Sequence, residues 1–329
     1  MRRLTLFLLL LASALTVRAV KVGVVMPFKA GGPQGKAAVE FYRGFLLAVD
    51  SVKRGGLSVE VYAVDSGTSE ASLNEALARG ELKGAAVVFG PGVAGQAEAL
   101  AAYCKQWGLK LVMPFPVQYQ HLADNALVYQ VSAPEQSLCP AAAQLAMENL
   151  ADANFVMLKC SDGTPSDHAF QAAVSDRVTA YSLPHGTLNI NADEVAAQMA
   201  FNASHTNVIV PDSHTDQTLS SLLKLLKQYR QKYPKYRFAL LGFPSWLTLA
   251  AKYSDDLCSL DTYVFSQSHY GPVSSSSLSF GKKYSESFNT ALPREYPSAA
   301  MLGFDVGYYF LCGVNSSPFQ QDLSFRRVG

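Results

Sequence analysis

YRGFLLAVDSVKRGGLSVEVYAVD, residues 42–65, is the stretch that decides the fold. Counting the residue just before it, Phe41, Phe45, Ala48, Val49 and Val52 recur at helical spacing, so one face of a helix is apolar. Gly55 and Gly56 can take the positive φ that stops a helix. Leu57, Val59, Val61 and Ala63 then alternate with polar or small partners, the period of a strand. A helix feeding a strand in this way is the repeating step of an α/β sheet.

Working outward, the step recurs. Strand signals at 20–27, 57–64, 85–89 and 110–115 flank helices over 70–79 and 95–107, and a loop with Gly31, Gly32 and Gly35 leads into the first helix. The pattern then restarts with an extended segment at 127–132 and a helix over 134–150. Strands follow at 154–160, 180–183, 207–210, 237–241 and 263–265. Leu219, Leu222, Leu223, Leu226, Tyr229 and Tyr233 form one helical stripe over 219–233, and a late helix spans 298–314. Strands alternating with helices imply parallel sheets, and a chain of this length outgrows a single core. The expected fold class is α/β: two Rossmann-like lobes, each a parallel sheet flanked by helices.

The first residues read as an address. Met1-Arg2-Arg3 is basic, residues 4–11 are apolar, and Val17-Arg18-Ala19 is a small-residue cleavage site, so residues 1–19 are expected to be a signal peptide. Nothing after Val20 is apolar for the ~20 residues that a membrane span needs. The expected mature protein is periplasmic or otherwise exported, and a monomer. A net charge of +1 and a charged fraction of 16% give no reason to expect nucleic acid as a partner. Lys224, Lys227, Arg230, Lys232 and Lys235 read as a solvated helix face. The five cysteines, Cys104, Cys139, Cys160, Cys258 and Cys312, form no Cys-x-x-Cys pair. An odd count leaves a free thiol; burial suits most of them, and a Cys258–Cys312 bridge stays open.

In open parallel sheets, ligands bind outside the carboxyl ends of the strands. That rule selects Phe28, Gln34, Ser66, Gly92, Val93, Ala94 and Phe115 in the first lobe. In the second it selects Ser161, Asp162, Asp212, Ser213, Trp246, Ser268 and Tyr270. Asp65 and Asp162 also suit caps and turns. Trp246 and Tyr270 stand out as ligand contacts, since an aromatic with a polar tip suits a polar solute, although core packing competes. Asp212-x-His214-x-Asp216 has a metal-like look with no second cluster to support it. No Gly-x-Ser-x-Gly elbow, His-Glu-x-x-His or Walker loop occurs, and six scattered histidines make no triad. Gly90, Gly92 and Gly95 lack dinucleotide spacing. Neither an enzyme, a metal nor a cofactor is expected.

Several of these segments carry a resemblance. The helix at Tyr42–Arg54 with its Gly-Gly stop and strand, Val87-Val88-Phe89-Gly90-Pro91-Gly92, Val131-Ser132-Ala133-Pro134 and Tyr296-Pro297-Ser298-Ala299-Ala300-Met301-Leu302-Gly303-Phe304-Asp305 are similar to motifs of the type I periplasmic solute-binding proteins, the Leu/Ile/Val-binding class of ABC-transport receptors. The resemblance covers residues 20–329. It implies a chain that crosses between lobes: 20–134 plus 268–314 in lobe 1, and 135–267 plus 315–329 in lobe 2, with a ligand cleft between the lobes. Family members continue past the strand at 323–325, so the resemblance also implies a chain cut short.

The implied function is capture of a small polar ligand in that cleft for an ABC permease. Amino-acid binders of the family place Ser or Thr at the turn after the third strand to hold a carboxylate, whereas Gly92, Val93 and Ala94 carry no hydroxyl. The resemblance therefore does not extend to a simple branched-chain amino acid. The alternative is a cell-envelope interaction or regulatory protein, like the activators of peptidoglycan synthases or sensory modules, that keeps the fold without transport.

Overall fold

The computed structural model describes residues 19–117, 119–132, 135–266, 274–295 and 297–314. The expected signal segment, the crossover at Ala133-Pro134, residues 267–270 with Ser268 and Tyr270, Tyr296 and the strand at 323–325 lie outside the described residues.

In chain order the first elements are β1 (Val20–Met26), α1 (Gly32–Arg54), β2 (Val59–Asp65), α2 (Glu70–Ala78), β3 (Val87–Phe89), α3 (Ala97–Gln106), β4 (Lys110–Met113) and β5 (Val128–Gln130). Next come α4 (Glu135–Asn149), β6 (Ala153–Lys159), α5 (Pro165–Ala180), β7 (His185–Asn189), α6 (Glu194–Ala200) and β8 (Thr206–Pro211). The last are α7 (Asp216–Lys232), β9 (Arg237–Gly242), α8 (Trp246–Ser259), β10 (Thr262–Val264), α9 (Ser275–Phe288) and α10 (Ala299–Cys312). Of the described residues, those within Met1–Ser132, Gly271–Pro293 and Ser298–Gly329 form one compact unit, and those within Ala133–Tyr270 and Arg294–Pro297 the other.

Among the described residues each unit holds one five-stranded sheet, in the orders β2-β1-β3-β4-β5 and β10-β9-β8-β6-β7. Every strand pair is parallel. Parallel sheets are covered on both faces, so their central strands read as continuous apolar runs. Val22, Val24, Val25 and Met26 of β1, and Phe155 and Val156 of β6, are fully buried.

In the first unit, α1 buries the predicted face: Phe41, Phe45, Ala48, Val49 and Val52 are all enclosed. Gly56 takes the positive φ, +95°, while Gly55 does not. Helix α10, from the far end of the sequence, crosses α1 backbone to backbone. A Cβ on Gly44 would lie 1.7 Å from the carbonyl oxygen of Ala300, and one on Gly303 would lie 2.0 Å from that of Phe41. Behind this crossing, Tyr284 of α9 is fully buried and donates its hydroxyl to the enclosed Glu40, which Arg43 also holds at 2.8 Å. Burial, then the hydrogen bond to Glu40, pushes the Tyr284 phenol up to about 12.

In the second unit, Leu219, Leu222, Leu223, Leu226 and Tyr229 of α7 are buried as the stripe predicts, with Tyr233 packed alongside. The expected strand at 180–183 is absent. Those residues are the end of α5 and a turn with Ser182 at φ +53°, and the strand is β7. It lies at the sheet edge with Leu188 as its buried side chain, so its sequence shows no apolar run. No disulfide joins the five cysteines. Cys104 and Cys139 are buried, whereas Cys258 and Cys312 are exposed and unbridged, so burial accounts for fewer of them than composition suggested. No helix among the described residues is long and apolar enough to cross a membrane.

Candidate functional site

The strand orders locate one topological switch point per sheet. Connections leave β1 toward β2 on one side and β3 on the other, and leave β6 toward β7 and β8 in the same way. Ligand crevices of open α/β sheets lie outside the carboxyl ends at such points.

At the switch point of the first unit the two turns press on each other. Gly90 has φ +148°, and a Cβ there would lie 2.3 Å from the carbonyl oxygen of Val25. A Cβ on Gly92 would lie 2.6 Å from Cδ of Pro27. Only glycine allows this approach. Val93 is half-buried and Ala94 exposed. Phe28 packs edge-on against Tyr42 and Phe115 against Phe41, both half-buried, while Gln34 is exposed on the first turn of α1. Ser66 is fully buried, its hydroxyl donating to the carbonyl of Gly67 at 3.1 Å. Gln96, which sequence reading missed, is also fully buried, and its amide donates to the carbonyls of Ser66, Gly67 and Ser69. It ties the start of α3 to the loop after β2. Asp65 accepts the backbone N–H of Lys29 at 3.3 Å.

The switch point of the second unit is built from polar groups. Asp212, at the end of β8, is 2% exposed, accepts the N–H of Cys160 at 2.7 Å and lies 3.3 Å from the ammonium of Lys159. Gln171 of α5 accepts from Lys159 at 2.5 Å and donates to the carbonyls of Leu158 and Val210, bridging β6 and β8. Asp162 accepts the hydroxyls of Thr215 at 2.5 Å and Thr218 at 2.8 Å, stapling the β6–α5 loop to the first turn of α7. Partial desolvation works against that carboxylate, but the hydroxyls of Thr215, Thr218 and Ser213 together outweigh it and hold Asp162 below its usual value. Ser161 is exposed and Ser213 fully buried.

Two histidines sit in front of buried carboxylates. Nδ1 of His214 lies 3.0 and 2.9 Å from the two oxygens of Asp167, and Nδ1 of His168 lies 3.5 Å from Asp212. Asp167 also closes the capping box of α5, accepting the N–H of Thr164 while the Thr164 hydroxyl accepts its own N–H. A Cβ on Gly163 would strike the carbonyl oxygen of Asp212 at 1.9 Å, so this loop too needs glycine. Burial first, and the charge of Asp212 second, push the Cys160 thiol up to about 12, which leaves it a poor nucleophile.

Trp246 lies in the interior at 1% exposed, its ring on Gly242 and Phe243 and its N–H donating to the carbonyl of His214 at 3.1 Å. The residues of the metal-like motif diverge: Asp212 turns to Cys160 and Lys159, His214 to Asp167, and Asp216 to Lys252 and Tyr253. Among the described residues no group of three or more His, Cys, Asp or Glu is arranged to hold a metal ion. Asp167, Lys159, His168 and Gln171 escaped the rule of strand ends. A signal was present, because Asp167 and Gln171 fall in the stripe Phe170, Val174, Val178, all enclosed, and a polar pair inside an apolar helical face marks a buried network.

No family model matches the sequence, and neither does any curated protein. Solved structures do match. A putative branched-chain amino acid ABC transporter from Rhodospirillum rubrum is 13% identical, covers 93% of this chain and 86% of its own, and superposes with a TM-score of 0.61. One from Silicibacter pomeroyi is 15% identical, with 90% and 77% covered and a TM-score of 0.61. The substrate binding protein LivJ from Streptococcus pneumoniae, solved in complex with isoleucine, is 17% identical, with 90% and 84% covered and a TM-score of 0.51. This likeness is one of fold. The chain has the α/β fold of the type I periplasmic solute-binding proteins, as its motifs led one to expect.

Proposed function

We propose that the chain is an exported solute-binding receptor, acting as a monomer, that takes up a small polar molecule and presents it to an ABC permease. The observation that carries this reading is the built polar edge at the switch point of the second sheet. There, buried Asp212 and Asp167 organise half-exposed imidazoles. The neighbours in fold, described as a branched-chain amino acid transporter substrate binding protein and a putative branched-chain amino acid ABC transporter, support it by analogy. We assign no reaction to the site: a thiol held protonated at Cys160 suits binding better than nucleophilic chemistry. Contact residues are proposed at Phe28, Gln34, Val93, Ala94 and Phe115 in the first unit, and at Ser161, Asp162, His168 and His214 in the second. The absence of hydroxyls at Gly92, Val93 and Ala94 argues for a solute other than a free branched-chain amino acid.

The regulatory reading has one observation in its favour. Ser66, Asp212, Ser213 and Trp246, all selected by the strand-end rule, are buried at 2% or less, which leaves fewer side chains to meet a solute. Native mass spectrometry of the purified protein, followed by denaturation and identification of what is released, separates the two. A stoichiometric small molecule is the expected result. An empty protein, also unshifted in thermal melts with amino acids, nucleosides and muropeptides, would transfer the assignment to the envelope role.

A further inference from the structure

Resting on the receptor reading, we propose that His214 selects the ligand as a hydrogen-bond acceptor, so the ligand presents a hydroxyl or amide N–H to this edge of the second unit. The argument starts from the carboxylate behind the ring. An ionised carboxylate accepts hydrogen bonds and donates none, so both oxygens of Asp167 at 2.9 and 3.0 Å place the imidazole proton on Nδ1. A neutral imidazole then carries its lone pair on Nε2. Asp167 cannot swing away, because its side chain is 3% exposed and it holds the N–H of Thr164.

The ring itself is fixed. It packs edge-on against Phe243 at 6.1 Å, and its backbone carbonyl is held by the Trp246 N–H. The His214 side chain nevertheless keeps 40% of its surface exposed, and no described residue bonds to its Nε2. Its neighbours are engaged: Lys159 with Asp212 and Gln171, Asp162 with two threonine hydroxyls. His168, 3.5 Å from its carboxylate, is less firmly set. In its neutral form His214 is therefore the oriented acceptor of this edge, and Asp167 is its positioning residue.

The test uses the full protein in two readouts. Nitrogen-15 NMR of the imidazoles reports which ring nitrogen of His214 carries the proton, and Nδ1 is expected. Calorimetry then compares adenosine, D-ribose and nicotinamide, neutral and rich in donors, with L-leucine and succinate, and with any compound that co-purifies. The tightest binder is expected to be a neutral donor-bearing molecule that weakens about tenfold in His214→Ala, the loss of one buried hydrogen bond. Asp167→Asn should weaken it as much, since the amide can donate to Nδ1 and send the proton to Nε2, while its oxygen still accepts from Thr164. This near-isosteric change also decides the matter if His214→Ala fails to fold. His185→Ala, on an exposed edge strand, should change nothing.

A proton found on Nε2 would overturn the proposal. So would a tight binder, L-leucine for instance, that is indifferent to His214→Ala, and in that case the receptor reading would survive. If no probe binds and nothing co-purifies, both fall together.

Discussion

The two sheets repeat one strand order, with the first strand second from an edge and the third on its other side, yet their switch points are made of opposite materials. In the first unit Gly90 presses directly on Val25 and Gly92 on Pro27, and the polar link, Gln96, is fully buried. In the second unit carboxylates at 162, 167 and 212 organise lysine, histidines and threonines around the loop ends. The order of strands sets where a site can form. What forms there depends on whether the turns close through bare backbone contact or stand apart on side-chain hydrogen bonds.

The comparison can be broken most forcefully in the first unit. Gly44→Val would drive a side chain into the Ala300 carbonyl, so loss of roughly 3 kcal/mol or more is expected, at the upper end of overpacking. Each unit holds one tryptophan, Trp107 in the first and Trp246 in the second, so denaturation of Gly44→Val in a Trp107→Phe background follows the second unit alone. Its midpoint should be unmoved; a matching shift would mean the units do not differ as independent bodies.

Asp212→Ala attacks the other side of the comparison. It removes the acceptor of the Cys160 N–H and the counter-charge of Lys159, for a loss of about 2–3 kcal/mol in the second unit. A change under ~0.5 kcal/mol in urea titration would show that the polar edge contributes little to stability.

Tyr284→Phe tests whether the first unit owns a buried polar network of comparable weight. Loss of the hydrogen bonds that its hydroxyl donates to Glu40 and accepts from Arg43 should cost about 1–2 kcal/mol at neutral pH. Because the folded phenol is raised from the ordinary 10 to about 12, the unfolded state releases its proton first, and stability should fall as pH rises from 10 to 12. The substitution should flatten that alkaline slope; an unchanged slope would assign it to other groups. The mildest change, Thr218→Val, removes a single hydroxyl from Asp162 and should cost up to about 1 kcal/mol. It should also raise the Asp162 carboxyl toward its ordinary value, an effect readable by NMR titration, and no movement there would deny the hydroxyls their role.

How much of this could be read in advance follows from the range of the interactions. The apolar faces of α1 and α7 and the central strands are local patterns, and burial of Phe41, Phe45, Leu219 and Leu226 matches them. Strand β7 was misplaced because an edge strand needs few apolar residues, so His185–Asn189 carries no period while the helix end before it does. At a strand exit Trp246 reads as a ligand contact. Gly242 leaves the space its ring fills, and nothing local announces that pairing. Asp167 and His214 lie 47 residues apart, and the fold alone makes them partners. Rules about strand ends select loops and cannot tell the side chains that line them from those that hold them up.

The contact of α10 with α1 also bears on the order in which the molecule is completed. The second unit is drawn from Ala133–Tyr270 and four residues more, whereas the first lacks Val306, Phe310 and Leu311, part of its own core, until the chain has reached α10. A polypeptide emerging amino end first would close its second unit while its first still waited for a wall.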